Sequence, residues 1–133
     1  MKRIVFHHDA EMELWQAVGY YEDKARGLGL DLEQDVSRAL AKIQTTPSRW
    51  PKKDCGTRCC LLHRFPYAIH YMELRDTLWI GSVAHTRRRP GYWRDRVFRH
   101  RNLDSRSQGK AIYAPERNHP HAPAFGRRTR TGN

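Results

Sequence analysis

Two stretches of the chain carry apolar residues at helical spacing, and only the break Gly27-Leu28-Gly29 lies between them. In the first, Ala10, Leu14, Ala17 or Val18, and Tyr21 recur every three or four positions; in the second, Leu32, Val36, Ala39 or Leu40, and Ile43 do the same. This spacing predicts amphipathic helices over roughly residues 9 to 25 and 30 to 45, with Asp9 and Glu11 placed where a helix N-terminus favours negative charge. So short a glycine-rich link forces the two helices back on each other as an antiparallel hairpin, whose shared apolar face needs a partner.

Three apolar runs later in the chain supply that partner: Arg58 to Phe65, Tyr67 to Leu74, and Leu78 to Ala84. The breaks between them, Phe65-Pro66 and Arg75-Asp76-Thr77, are short enough for antiparallel hairpins. Alternation is clearest in the middle run, with Tyr67, Ile69 and Tyr71 on one face and Ala68, His70 and Met72 on the other. Arg3 to Phe6 is a further short strand, expected at a sheet edge. The fold class that follows is α+β, in the order β-α-α-β-β-β: a helix hairpin packed on one face of a small antiparallel sheet. The opposite sheet face and the loop after the last strand are expected to stay open, as a place where His63, His70, Arg87 and Tyr92 gather.

With 133 residues and 38% apolar content, the chain has room for one domain and one modest core. Nothing approaches the roughly 20 consecutive apolar residues that cross a bilayer, and no apolar run long enough for a signal-peptide core follows the N-terminal basic pair. A soluble, cytoplasmic protein with no membrane contact is therefore expected. Residues 99–133 are rich in Arg, Pro, His, Ser and Gly and show no period, so the folded domain is expected over residues 1–98 and a disordered basic tail after it.

Charge is unevenly spread. Residues 1–46 carry 6 basic and 8 acidic side chains, residues 47–98 carry 11 and 4, and residues 99–133 carry 8 and 2, for a net charge of +11. A mildly acidic front and a strongly basic remainder suit a surface that meets a polyanion or an acidic protein. Cys55, Cys59 and Cys60, with His63, spell Cys-x3-Cys-Cys-x2-His. Adjacent cysteines on a strand point to opposite faces, so buried or idle reduced thiols are a better reading than a zinc site, and no metal or cofactor is expected.

The stretch most suggestive of function is Val83 to Trp93, in which a turn at Pro90-Gly91 follows the last strand. It presents His85, Arg87, Arg88, Arg89, Tyr92 and Trp93. Three neighbouring arginines repel one another, so they sit together in solvent or against an anion.

The whole pattern resembles the RelE/ParE superfamily of toxins from bacterial type II toxin-antitoxin systems. The carrying residues are Ala10-Glu11-Met12-Glu13-Leu14, Tyr20-Tyr21, Gly27-Leu28-Gly29, the Pro47 to Pro51 loop, Arg64-Phe65-Pro66-Tyr67, and Val83-Ala84-His85-Thr86-Arg87-Arg88. The resemblance covers about Ile4 to Arg96 and leaves the tail outside. It implies a growth inhibitor neutralised by a cognate antitoxin, with operator DNA bound only through the antitoxin complex. One branch of the family is ParE-like and targets DNA gyrase; the other is RelE-like and cuts mRNA on the ribosome without a metal.

Metal-free RNA cleavage needs a base for the 2′-hydroxyl, an acid for the leaving oxygen and cations for the charge growing on phosphorus. In RelE-like nucleases the resemblance assigns these to a Lys-x-Lys, two arginines and a late tyrosine. Aligned on Tyr67 and Ser82, the corresponding positions here are Cys59, Leu61, Ala68, Thr86 and Tyr92, so only the tyrosine matches directly. The expected reading is a ParE-like toxin whose target-binding residues are Arg64, Arg87, Arg88, Arg89, Tyr92 and Trp93. The alternative nuclease would use His85, Arg87 and Tyr92. A third alternative, from another class, is a non-toxic basic module that binds nucleic acid through its charge and its aromatic side chains.

Overall fold

The computed structural model of the protein describes residues 1–103. A short strand β1 (Arg3–Phe6) leads into helix α1 (His8–Lys24), and after a three-residue link helix α2 (Leu28–Thr45) runs back alongside it. Two 3-10 turns, Pro47–Arg49 and Asp54–Gly56, lead to strands β2 (Arg58–Leu61), β3 (Tyr67–Glu73) and β4 (Thr77–His85). A third helix, α3 (Arg94–Leu103), follows β4.

The helical hairpin forms for the reason its spacing gives. Leu14 and Val18 of α1 meet Leu32, Val36, Leu40 and Ile43 of α2 over the sheet residues Ile4, Phe6, Ile69, Tyr71, Leu78, Ile80 and Val83. The helices come close at their link, where a Cβ on Gly29 would lie 2.8 Å from the Val18 carbonyl oxygen. There the Glu22 carboxylate accepts from the backbone N–H groups of Gly27 and Gly29, satisfying donors that the start of α2 leaves open. At its far side Asp35 of α2 accepts from the N–H groups of Arg64 (2.8 Å) and Phe65 (3.1 Å), pinning the β2–β3 turn to the helix.

The sheet order is β1-β4-β3-β2, with β2, β3 and β4 an antiparallel meander. The expectation of a wholly antiparallel sheet is corrected at one edge: β1 pairs with β4 in parallel, Arg3 opposite Thr77 and Phe6 opposite Ile80. The direction of a four-residue strand joined to its neighbour only through a helix hairpin is set by that crossover, and alternation alone does not encode it.

The opposite sheet face is also more covered than expected. Trp93 and Val97, in and just before α3, pack on Val5, Met72 and Trp79 in a second apolar cluster. This explains why Leu78 to Ala84 is buried at every position: it has a layer on each side. A domain boundary at residue 98 would fall inside α3, which includes the described residues 99–103. The rest of the expected tail, residues 104–133, lies outside the described residues.

One irregularity positions the site. The pairing of β3 with β4 slips between His70↔Ser82 and Tyr71↔Ile80, leaving Gly81 as the extra residue of a β-bulge. A Cβ on Gly81 would lie 2.7 Å from the Trp79 ring, so the bulge is built around glycine. Before it, Leu78 and Ile80 face the main core; after it, Val83 does, and Ser82 and Ala84 turn to the other face beside His70 and Ala68.

Candidate functional site

The chain leaves β4 at His85, and the turn that follows is tied to that residue. The Arg87 N–H donates to His85 Nδ1 (3.0 Å) and the Arg88 N–H to the His85 carbonyl (2.9 Å). Beyond Pro90-Gly91 the chain brings Tyr92, Trp93 and α3 back over the sheet.

One of the three arginines in a row, Arg88, meets an anion inside the protein. Glu13 on α1, with a side chain only 12% exposed, accepts from the Tyr92 hydroxyl (2.8 Å), the Val83 N–H (3.0 Å) and Arg96 Nη2 and Nη1 (2.8 and 3.2 Å). Arg88 stands 3.8 Å from the same carboxylate, and its guanidinium lies over the Tyr92 ring, 3.8 Å from the centroid. Arg96 also donates to the Gly81 carbonyl (2.8 Å), so the bulge, α1, Tyr92 and α3 share one polar knot. A bidentate guanidinium-carboxylate pair of this kind is both strong and direction-specific.

Beside the knot opens a pocket of about 290 Å³. Ala68, Ala84, Cys59 and Trp93 wall it, and Lys53, Arg88, Arg89 and Arg94 stand around it. His70 lines it too, with Nδ1 paired to the Ser82 hydroxyl at 2.7 Å and its ring stacked on Trp93 at 4.5 Å between centroids. Burial, reinforced by the nearby Lys53 charge, holds the His70 pKa down to about 4, so the ring is neutral at physiological pH. Burial likewise pushes the Cys59 thiol up, against a smaller opposing effect of Lys53. Burial first, then the Glu13 charge and hydrogen bond, hold the Tyr92 phenol far above the ordinary tyrosine range.

The structure sorts the expected residues into groups. His85, Arg88, Arg89, Tyr92 and Trp93 line this one pocket. Arg87 is exposed beside it, with its backbone on His85. Arg64 lies on the β2–β3 turn, 3.6 Å from Asp31 and over the Phe65 ring. His63 does not join His70, Arg87 and Tyr92; it lines a separate groove of about 520 Å³ between α2 and β2, with Arg38, Lys42, Arg49 and Trp50. Trp93 is only 6% exposed, so it serves as a wall and not as an outward-facing contact. Cys59 and Cys60 point to opposite faces, the first into the pocket and the second into the main core.

The reading of the sequence missed Glu13, Lys53, Ser82, Arg94 and Arg96. Glu13 carried a faint signal, a carboxylate directly beside the buried stripe of Ala10, Leu14 and Ala17. Among the described residues no three His, Cys, Asp or Glu side chains converge on a metal-sized site, and no helix is long and apolar enough to cross a membrane.

No family model and no curated protein matches the chain. Among solved structures it is similar to a chain from a chromosomal ParDE TA system of P. aeruginosa, with a TM-score of 0.54 and 17% identity. The match covers 64% of this chain and 96% of that one. At that identity the likeness speaks for the fold.

Proposed function

We propose that the chain is the toxin of a type II toxin-antitoxin system, acting in the cytoplasm by binding a macromolecular target in the ParE-like manner. DNA gyrase is the target the resemblance favours, and a cognate antitoxin neutralises the toxin. The shared fold with a chain of a ParDE TA system supports the class. What supports binding over RNA cleavage is that Cys59 and Ala68, which line the pocket, occupy positions where the resemblance would put a lysine and an arginine of the nuclease. In addition, the Tyr92 phenol is committed to Glu13 and keeps its proton. A group held so far from its working pKa is a poor general acid or base. Arg87, Arg88, Arg89 and Arg94 form the contact surface around the pocket, with Tyr92 and Arg96 bracing it. Residues 104–133 are dispensable for this activity.

Induced alone, the chain should stop growth, and co-expression with its antitoxin should restore it. Purified protein should inhibit DNA supercoiling by gyrase and leave mRNA in a translation extract intact. New mRNA cuts that disappear on His85→Ala would replace this reading with the RelE-like nuclease. Growth unaffected by induction, together with salt-sensitive nucleic-acid binding, would replace it with the basic binding module.

A further inference from the structure

The aromatic residues at the pocket are occupied by the protein itself. Trp93 is stacked on His70 and otherwise set among Val5, Met72, Trp79 and Val97. Tyr92 carries the Arg88 guanidinium at 3.8 Å and the Arg96 guanidinium at 5.2 Å from its ring centroid. Single-stranded nucleic acid gains much of its affinity from stacking bases on free aromatic faces, whereas Tyr92 and Trp93 here are already engaged within the protein. What the site offers is a small apolar recess ringed by cations. At about 290 Å³ the recess sits at the lower edge of the roughly 300–1,000 Å³ usual for small-molecule sites, a size suited to one anchoring side chain.

Resting on the reading of the chain as a binding toxin, we propose that the pocket docks an acidic peptide segment of the protein it inhibits. An apolar side chain of that segment enters between Cys59, Ala68 and Ala84, and flanking carboxylates meet Lys53, Arg89 and Arg94. Arg88 joins them by exchange. Its side chain is 52% exposed and 3.8 Å from Glu13, while Glu13 retains its shorter bonds to Tyr92 and Arg96 when Arg88 leaves. His70, with Nδ1 paired to the Ser82 hydroxyl, lines the recess beside these cations. Charge complementarity of this kind speeds association and selects partners, and the apolar anchor provides the lifetime of the complex.

The test uses the full chain and a synthetic peptide of Asp and Glu residues around one central leucine. Controls are the same peptide with serine for leucine and a single-stranded RNA of equal charge. Binding is read by fluorescence anisotropy and by the rate of Cys59 alkylation with iodoacetamide, mapped by mass spectrometry. The leucine peptide should bind about tenfold or more tightly than the serine peptide, as expected for burial of one leucine, and should protect Cys59. Cys59→Phe, which fills the recess, should abolish that difference while RNA binding stays the same. Lys53→Ala with Arg89→Ala, whose substitutions lie at the rim, should weaken the peptide without touching the recess.

Equal binding of the two peptides would overturn the proposal, as would protection of Cys59 by RNA. If the wild-type chain proves non-toxic yet shows the leucine preference and protection, the pocket assignment stands and the toxin reading falls. If the chain is toxic and Cys59→Phe remains as toxic, the toxin reading stands and the pocket assignment falls.

Discussion

The two faces of the sheet are held by different physics. On the hairpin side, Leu14, Val18, Leu32, Val36 and Ile43 fill one continuous core at positions that helical periodicity alone predicts. On the α3 side a smaller apolar cluster around Trp79, Trp93 and Val97 is fastened by a carboxylate and a guanidinium 83 positions apart in the chain, Glu13 and Arg96. The first face is redundant, and no single residue defines it. The second depends on a few polar contacts, most of which pass through Glu13. A functional surface built on the second face is therefore adjustable by single substitutions that leave the first intact.

The largest effect separating the two is expected from the hairpin core. Leu32→Ala, at a fully buried position, should cost about 2–5 kcal/mol of global stability, measured as a lower urea midpoint with both faces lost together. Glu13→Gln should cost less, about 1–3 kcal/mol, and its loss should be local. Hydrogen exchange should accelerate around Tyr92 to Val97 while α2 stays protected. Uniform loss of protection across both faces would show that they are one cooperative unit.

A smaller effect follows from His70. Its folded pKa, near 4, lies below the unfolded value of 6.5, so between these values the unfolded chain takes up a proton that the folded chain refuses. Stability is fully present above about pH 6.5 and falls as the pH drops toward 4. Thermal melts of His70→Asn should lose that part of the pH slope. An unchanged slope would place the titration elsewhere.

How much of this was legible in the sequence follows the same division. The helix hairpin, the meander and the faces of Tyr67 to Met72 are local patterns, and local patterns are what periodicity encodes. The parallel direction of β1, the bulge at Gly81 and the cover supplied by α3 depend on contacts between distant segments. A basic, weakly periodic stretch such as Arg94 to Leu103 does not announce a helix from its own residues. In the site, the turn after His85 stood out through its charge and aromatics. Its organising anion did not, because Glu13 reads as one more acidic residue on an amphipathic helix. Trp93 looked like a contact residue because composition records an aromatic and says nothing of which way it faces.

Under the proposed function the α3 side, and not the hairpin side, meets the target. Each side carries exposed cations beside a pocket: Arg87, Arg88 and Arg89 on the loop, and Arg38, Lys42 and Arg49 along the groove between α2 and β2. Replacing each trio with alanine removes the same charge from either face, so growth after induction of the two triple variants compares the surfaces directly. The loop variant should lose its toxicity while the groove variant still arrests growth. A toxic loop variant beside a harmless, folded groove variant would contradict the proposed function.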